Sequence, residues 1–219
     1  MSQAWIARGP EFSDKTSERQ WAAYNRLSKV ATDYLIQNKP ELEDNLNWYR
    51  AMLDIAQRTS WPEHSYALLL DEALKKYPSV QEFFIDPINH YSPKWGGSAL
   101  EIANYIQQST LRLSPPLADE IYARQYSYVI ENGFPINPGA PSFNCARWMH
   151  GYDSFVYRFP TSYNLNHAAL AASFCRDQHQ AKGYFEKLGP ISPDVSVWQG
   201  AFGNADAFNN LRAWAMQLK

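Results

Sequence analysis

The segment NLNHAALAASFCRDQHQAKGYFEKLGPISPDVSVW, residues 164–198, is the clearest indication of the architecture. Its apolar residues recur three and four positions apart on both sides of a polar segment, which predicts two antiparallel helices joined by a turn. These apolar positions are Leu165, Ala168, Ala169, Ala172 and Phe174 in the first helix, and Ala181, Tyr184, Phe185 and Leu188 in the second. Small residues on the first helix allow the second helix to approach it closely. Such a pair cannot bury both of its faces alone, so it has to stack on neighbouring helices.

The same segment resembles a tetratricopeptide unit. The residues near that family's small, small, aromatic and proline positions are Ala169, Ala181, Phe185 and Pro193. Two positions depart from the family pattern, since Leu165 stands in place of its Trp and Ala172 in place of its Tyr. The resemblance implies antiparallel helix pairs that stack as a helical repeat.

Helical periodicity continues through the rest of the chain and predicts an all-α fold. Helices are predicted at about 17–37, 41–57, 61–76, 80–85, 99–112 and 114–132, again from about 142, and at 205–218. No strand pattern of convincing length appears. Residues 1–13 are expected to be a flexible lead, and residues 14–219 a single α-helical repeat domain.

Three helix starts share a Ser followed three residues later by Glu, at Ser60, Ser79 and Ser98. This spacing predicts a capping box, in which the Ser side chain accepts a backbone N–H and the Glu side chain reaches back to the Ser N–H. Each such cap contributes about 1 kcal/mol.

Composition is that of an ordinary globular protein. The net charge of −2, with scattered Lys and Arg, gives no electrostatic reason to bind nucleic acid. No apolar run has the length of a signal peptide or a membrane span, so a cytoplasmic location without a membrane partner is expected. Cys145 and Cys175 lack CxxC spacing, and a reducing compartment disfavours disulfides. Buried free thiols are therefore expected in preference to a disulfide.

The PKWGGS segment, residues 93–98, has the most unusual local composition and allows two interpretations. In the first, Gly96 and Gly97 let a ligand approach the amino end of a helix, with His90, Lys94 and Trp95 lining the site. In the second, the glycines only form a sharp turn and Ser98 caps the helix. The structural interpretation is favoured, because a cap accounts for most of these residues.

The chain also resembles a bacterial family of tetratricopeptide-like helical proteins that is classified as a domain of unknown function. The resemblance rests on the PKWGGS segment, on residues 148–157, and on the YNxxHAALAxxFCxD pattern that begins at Tyr163. It implies a cytoplasmic helical repeat and no agreed activity.

Aromatic and Arg side chains, the commonest interface anchors, are concentrated in residues 147–159. They are Arg147, Trp148, Tyr152, Phe155, Tyr157, Arg158 and Phe159. Core packing is the favoured interpretation, because Trp and Tyr in helical solenoids usually pack between layers. His167 is expected to hydrogen-bond a neighbouring helix rather than to ligate a metal.

These patterns favour a non-catalytic scaffold that binds a protein or peptide, such as an adaptor or a toxin-neutralising immunity protein. The alternative is a small-ligand-binding protein or enzyme with a pocket near residues 95–98, and a third interpretation is a subunit of a larger assembly. No catalytic residue, cofactor or metal is predicted, since no P-loop, nucleophile elbow or metal-ligand spacing occurs. The candidate ligand- or partner-binding residues are Trp95, Gly96, Gly97, Arg147, Tyr157 and His167.

Overall fold

A computed structural model describes residues 2–134, 136, 143–190, 193–204 and 206–217. Within these ranges the regular structure is helical and no strand occurs, which confirms the all-α class. The α-helices are α1 Ser2–Arg8, α2 Glu18–Gln37, α3 Lys39–Leu42, α4 Leu46–Arg58, α5 Glu63–Lys76, α6 Glu82–Ile85, α7 Pro87–His90, α8 Ala99–Thr110, α9 Leu117–Glu131, α10 Cys145–Arg158, α11 Ser162–Phe174, α12 Gln178–Leu188, α13 Val195–Phe202 and α14 Asp206–Met216. Each helix in the described part of the chain is too short or too polar to cross a lipid bilayer.

Two compact units divide the chain, Met1–Phe83 and Phe84–Lys219, where the sequence predicts a single domain. In the first unit, α2 packs against α1, α3 and α4, and α4 packs against α5. Trp48 Nε1 of α4 donates a hydrogen bond to the Leu35 carbonyl oxygen of α2 at 2.9 Å. Residues 1–13, expected as a flexible lead, include α1, whose Ala4 is buried.

Helices α9 and α11 form the centre of the second unit. Helix α9 contacts α8, α10 and α13, while α11 contacts α10, α12 and α13. Ten of the 13 residues of α11 are buried, among them four alanines and one serine. Small side chains let neighbouring helices approach α11 on several sides. This enclosure explains why α11 has apolar residues around its whole circumference and not along a single stripe.

Helices α11 and α12 are joined by three residues and pack against each other, as the antiparallel pair predicted from residues 164–198. The sequence does not predict α13, which packs onto both α9 and α11. Gly200 of α13 permits this approach, because a Cβ there would lie 2.7 Å from the carbonyl oxygen of Glu131. In a linear repeat each unit contacts only its neighbours, so the tetratricopeptide-like arrangement remains a prediction.

Two of the predicted capping boxes are wrong. Helix α5 starts at Glu63 with Pro62 in the N-cap position, and Ser60 has a positive φ of 52°. The residue before a proline is disfavoured in the helical region, so Pro62 delays the start of α5 beyond Ser60. Helix α6 starts only at Glu82, three residues after Ser79.

Candidate functional site

The polar residues of α11 hold its neighbours in place. Asn164 Nδ2 donates to the carbonyl oxygen of Phe159 at 2.9 Å and fixes the turn that precedes the helix. Asn166 Oδ1 accepts from Trp198 Nε1 of α13 at 2.7 Å. Leaving Trp198 Nε1 unpaired in this enclosed position would cost about 1–3 kcal/mol, so the Asn166 hydrogen bond specifies that α13 packs on α11.

His167 of α11 lies against Glu131 of α9 in the interior, but neither of its ring nitrogens has a hydrogen-bond partner among the described residues. The imidazole is buried, and its Nε2 lies 2.7 Å from Oε1 of Glu131. Its ring stacks on Tyr152, with centroids 5.7 Å apart, and meets the ring of Tyr163 edge-on at 4.4 Å. Burial raises the pKa of the Tyr163 hydroxyl, and the nearby Glu131 carboxylate raises it further. The candidate residue His167 therefore faces other side chains and not solvent.

Arg147, another candidate binding residue, forms a contact between helices. Its Nε donates to Oδ1 of Asp119, in the first turn of α9, at 2.7 Å. The other oxygen of Asp119 lies 2.9 Å from Nδ1 of His150. Burial acts to raise the pKa of Asp119, but the hydrogen bonds from Arg147 and His150 outweigh it and hold this pKa below its usual value. Asp119 is thus an ionised partner that ties α9 to α10.

Cys145 and Cys175 form a disulfide, with Cα atoms 5.7 Å apart, so the expectation of free thiols is wrong. Cys145 is the first residue of α10, and Cys175 follows the last residue of α11. The pairing arises because α10 and α11 are consecutive helices that pack against each other and so bring these two ends together. Spacing could not reveal it, since 30 positions separate the cysteines.

The PKWGGS segment forms a tight turn in front of α8. Gly96 has a φ of 92°, and a Cβ on Gly97 would lie 2.1 Å from the carbonyl oxygen of Tyr91. Ser98 Oγ accepts the N–H of Glu101 and donates to its carboxylate at 2.9 Å. A carboxylate already lies at the amino end of α8, where a bound anion would be stabilised. These contacts support the turn-and-cap interpretation.

The six candidate residues do not converge on one site. Trp95, Gly96 and Gly97 belong to the PKWGGS turn, and His167 is buried in α11. Arg147 and Tyr157 are both on α10, but ten residues of helix separate them by about 15 Å. The aromatic cluster of residues 147–159 also divides, because Trp148, Tyr152 and Phe155 are buried in the core.

The remaining aromatic residues of that cluster belong to an exposed turn. All seven residues of YRFPTSY, residues 157–163, are exposed. This segment, the YRFPTSY turn, comprises the last two residues of α10, the connecting residues 159–161 and the first two residues of α11. The exposed fractions are 89% for Tyr157, 53% for Phe159 and 41% for Tyr163. Residues 157 and 155 project from nearly opposite sides of a helix, so Tyr157 points away from the buried Phe155. The available sequence signal was Pro160, which predicts a break between two helices next to these aromatic residues.

Arg side chains alternate with aromatic rings along one side of the YRFPTSY turn. The Arg158 guanidinium lies 5.4 Å from the ring of Phe159 and 6.0 Å from that of Phe155. On the other side of Phe155, the Arg124 guanidinium lies 4.7 Å from that ring and 5.8 Å from Tyr163. Each such cation–π contact contributes about 0.5–1 kcal/mol at an exposed site. The row of rings and guanidinium groups holds Phe159 and Tyr163 in defined positions.

The backbone of the YRFPTSY turn is also held. Thr161 N–H donates to the Phe159 carbonyl oxygen at 2.7 Å, and the same oxygen accepts from Asn164. Thr161 Oγ1 accepts the N–H of Asn164 and caps α11. Arg158 and Ser154 both bind the buried carboxylate of Glu120 in α9. The turn therefore presents its aromatic side chains from a fixed base.

Comparison with protein-family models, with curated proteins and with solved structures found no match to this chain. The resemblance to tetratricopeptide-like proteins of unknown function therefore stays a prediction. Among the described residues, no group of three or more His, Cys, Asp and Glu side chains is arranged to hold a metal ion.

Proposed function

We propose that the chain is a non-catalytic helical scaffold that binds a protein or peptide, and that the YRFPTSY turn is its recognition surface. The observation that supports this is the exposure of three aromatic side chains on a turn whose backbone is held by hydrogen bonds. Aromatic and Arg side chains dominate the binding energy of most interfaces. A turn that is already ordered loses little conformational entropy when a partner binds.

The charged groups near this surface favour a structural over a catalytic role. Asp119 is engaged by Arg147 and His150, and Glu120 by Arg158. An acid or base that is committed to contacts between helices is poorly placed to exchange protons with a substrate. An adaptor and a toxin-neutralising protein both match a surface of this kind.

The proposal is tested by affinity purification of the tagged full chain at native abundance, followed by mass spectrometry. Two variants separate the two sides of the turn. Tyr157→Ala removes the ring that points away from the core, and the double variant Phe159→Ala/Tyr163→Ala removes the rings beside the guanidinium groups. We expect one dominant partner whose recovery falls at least about tenfold with one of these variants.

The matched control is Leu111→Ala, which removes a comparably exposed apolar side chain elsewhere in the second unit. Recovery of the partner should remain unchanged in this variant. A partner that survives both turn variants, or that is lost equally with Leu111→Ala, would place the binding surface elsewhere. Circular dichroism of each variant establishes that the helices are retained.

A small-ligand or enzyme pocket near residues 95–98 is the alternative function. We do not favour it, because Gly97 is required by close backbone packing and the Glu101 carboxylate lies at the amino end of α8. Titration of the chain with inorganic phosphate, with and without Glu101→Gln, tests it. Saturable binding that strengthens in the variant would support an anion site there.

The disulfide supports an oxidising compartment, in contrast to the cytoplasmic location predicted from the sequence. The redox state in the native cell tests this directly. After acid quenching, we expect Cys145 and Cys175 to react with a thiol-specific maleimide only when a reductant has been added. Labelling of both cysteines without reductant would support a location in the reducing cytoplasm instead.

A further inference from the structure

The first unit presents an apolar stripe that α1 covers only in part. Leu27, Val30, Ala31 and Tyr34 follow one another at three- and four-residue spacing along α2. Val30 is 63% exposed and Tyr34 is 62% exposed. An uncovered pair of large apolar side chains on a regular helix stripe is unusual, because such stripes normally face a packing partner.

Helix α1 shows that this surface of α2 can pack against another helix. The Arg8 guanidinium lies 5.2 Å from the ring of Trp21, and the ring of Trp5 lies 6.0 Å from that of Tyr24. The residues at the start of α1, 2–4, line a groove together with the stripe of α2. Residue numbers therefore fall along α1 as they rise along α2, so the two helices are antiparallel.

The groove between these helices has a volume of about 480 Å³, and none of the described residues that line it has a charged side chain. Its α1 wall consists of Ser2, Gln3 and Ala4, and its α2 wall is the stripe from Leu27 to Tyr34. The surface where α1 already packs as a helix thus continues directly into unfilled apolar space. Regular ridges of side chains three and four apart fit the grooves of another helix.

We propose that the α1–α2 groove docks a short amphipathic helix of a partner protein, whose buried face is apolar and uncharged. The stripe spans eight residues, or about 12 Å of helix. A stable dimer of two copies needs about 800 Å² from each partner, more than a two-turn stripe offers. The length of the stripe therefore favours a short helix over a second copy of the chain. This proposal does not depend on the function of the YRFPTSY turn.

The test uses the full chain and a fluorescent, hydrocarbon-stapled peptide of about four helical turns. The peptide carries Leu and Ala on one face and alternating Lys and Glu on the other. A scrambled peptide of the same composition lacks the helical stripe and serves as the probe control. Fluorescence anisotropy measures the dissociation constant of each peptide.

Val30→Asp and Tyr34→Asp place a carboxylate on the stripe, and each should weaken binding of the stapled peptide at least about tenfold. Ile36→Asp is the matched control, because Ile36 is 53% exposed on the opposite face of α2. This control should change the dissociation constant less than about twofold. All three positions are exposed, so the variants are expected to keep their helical circular dichroism.

Several results would overturn the proposal. The groove is not a helix-docking site if the stapled peptide shows no saturable binding, or if the scrambled peptide binds equally well. Equal loss of binding with Ile36→Asp would indicate a general charge effect. Sedimentation analysis that finds wild-type dimers dissolved by Val30→Asp would assign the stripe to a second copy of the chain. None of these outcomes affects binding at the YRFPTSY turn, which the variants of that turn measure separately.

Discussion

Helices α11 and α2 use apolar residues in opposite ways. Ten of the 13 residues of α11 are buried, whereas α2 buries only Tyr24 and Ser28 among its 20 residues. Composition accounts for part of the contrast, because α2 contains five Asp, Glu, Lys and Arg residues and α11 contains none. The number of neighbouring helices does not distinguish the two, since α11 and α2 each pack against three helices, yet part of the apolar stripe of α2 faces solvent.

The comparison separates residues that specify packing from residues that are free to bind. In α11 the polar side chains of Asn166 and His167 are directed to Trp198 and Glu131, so even the polar groups serve the interior. In α2 the exposed Val30 and Tyr34 have no such role. Binding surfaces of this chain are therefore expected at helix edges and turns, and the buried candidate His167 is expected to act through stability.

The largest expected effect concerns the covalent bond that closes the α10–α11 pair. Replacing both cysteines, Cys145→Ser/Cys175→Ser, removes a cross-link across 30 residues and should lower the free energy of unfolding by about 3–4 kcal/mol. Hydrogen exchange measured by mass spectrometry should show faster exchange in α11. Helix α2 lies outside the closed loop and serves as the reference. If hydrogen exchange becomes faster to the same extent in α11 and α2, the disulfide does not act locally by closing the α10–α11 pair.

Two glycines allow a close helix crossing to be compared with a helix position that has free space around it. A Cβ on Gly151 of α10 would lie 2.1 Å from the Asp119 carbonyl oxygen and 2.7 Å from Ala123 Cβ of α9. Gly151→Ala should therefore cost at least about 3 kcal/mol. Gly183→Ala in α12 meets no atom within 4 Å and should stabilise by about 0.5–1 kcal/mol. Urea unfolding measures both variants, and a Gly151→Ala variant that is as stable as the wild-type protein would refute the close crossing.

Sequence reasoning found the helices because their periodicity is local. The pair α11–α12 could be predicted from residues 164–198 alone, and the helices predicted at about 61–76 and 99–112 differ from α5 and α8 by only about two residues at either end. Helix α13 was missed because its short segment is defined by packing onto α9 and α11. The disulfide was missed for the same reason, since only tertiary packing brings Cys145 to Cys175.

The candidate site was harder to predict than the fold. Arg147, Tyr157 and His167 were chosen by residue type, but residue type does not report exposure. Periodicity could have separated Tyr157 from Phe155, because residues two positions apart on a helix point to nearly opposite sides. The large apolar residues Trp148, Tyr152, Phe155 and Val156 recur at three- and four-residue spacing and mark the buried face of α10, so this local pattern could have assigned Tyr157 to the exposed side.

A smaller effect is expected from the Asp119 contacts between α9 and α10. Asp119→Asn loses the charge that Arg147 and His150 stabilise and should cost about 2 kcal/mol near neutral pH. The folded-state pKa of Asp119 is lowered from its ordinary value of 3.8, so its stabilisation is present above that value. It is lost as the pH falls through the lower folded-state pKa. Urea unfolding from neutral to strongly acidic pH should show the two proteins converging at the acid end. A constant difference at all pH values would refute the ionic contribution.

The smallest effects are expected at two serines. Ser17 caps a helix, whereas Ser60 has the sequence of a cap but forms none. Ser17 and Gln20 form a complete capping box at the start of α2, so Ser17→Ala should cost about 1 kcal/mol. Ser60 has a positive φ of 52° and caps nothing, so Ser60→Gly should relieve backbone strain and stabilise by about 0.5–1 kcal/mol. Both effects are measured as midpoint shifts in urea. A loss of stability in Ser60→Gly would restore the capping interpretation drawn from its Ser-x-x-Glu spacing. A gain would show that Ser60 occupies a strained turn and not a helix cap, whereas the same Ser-x-x-Glu spacing does form a cap at Ser98.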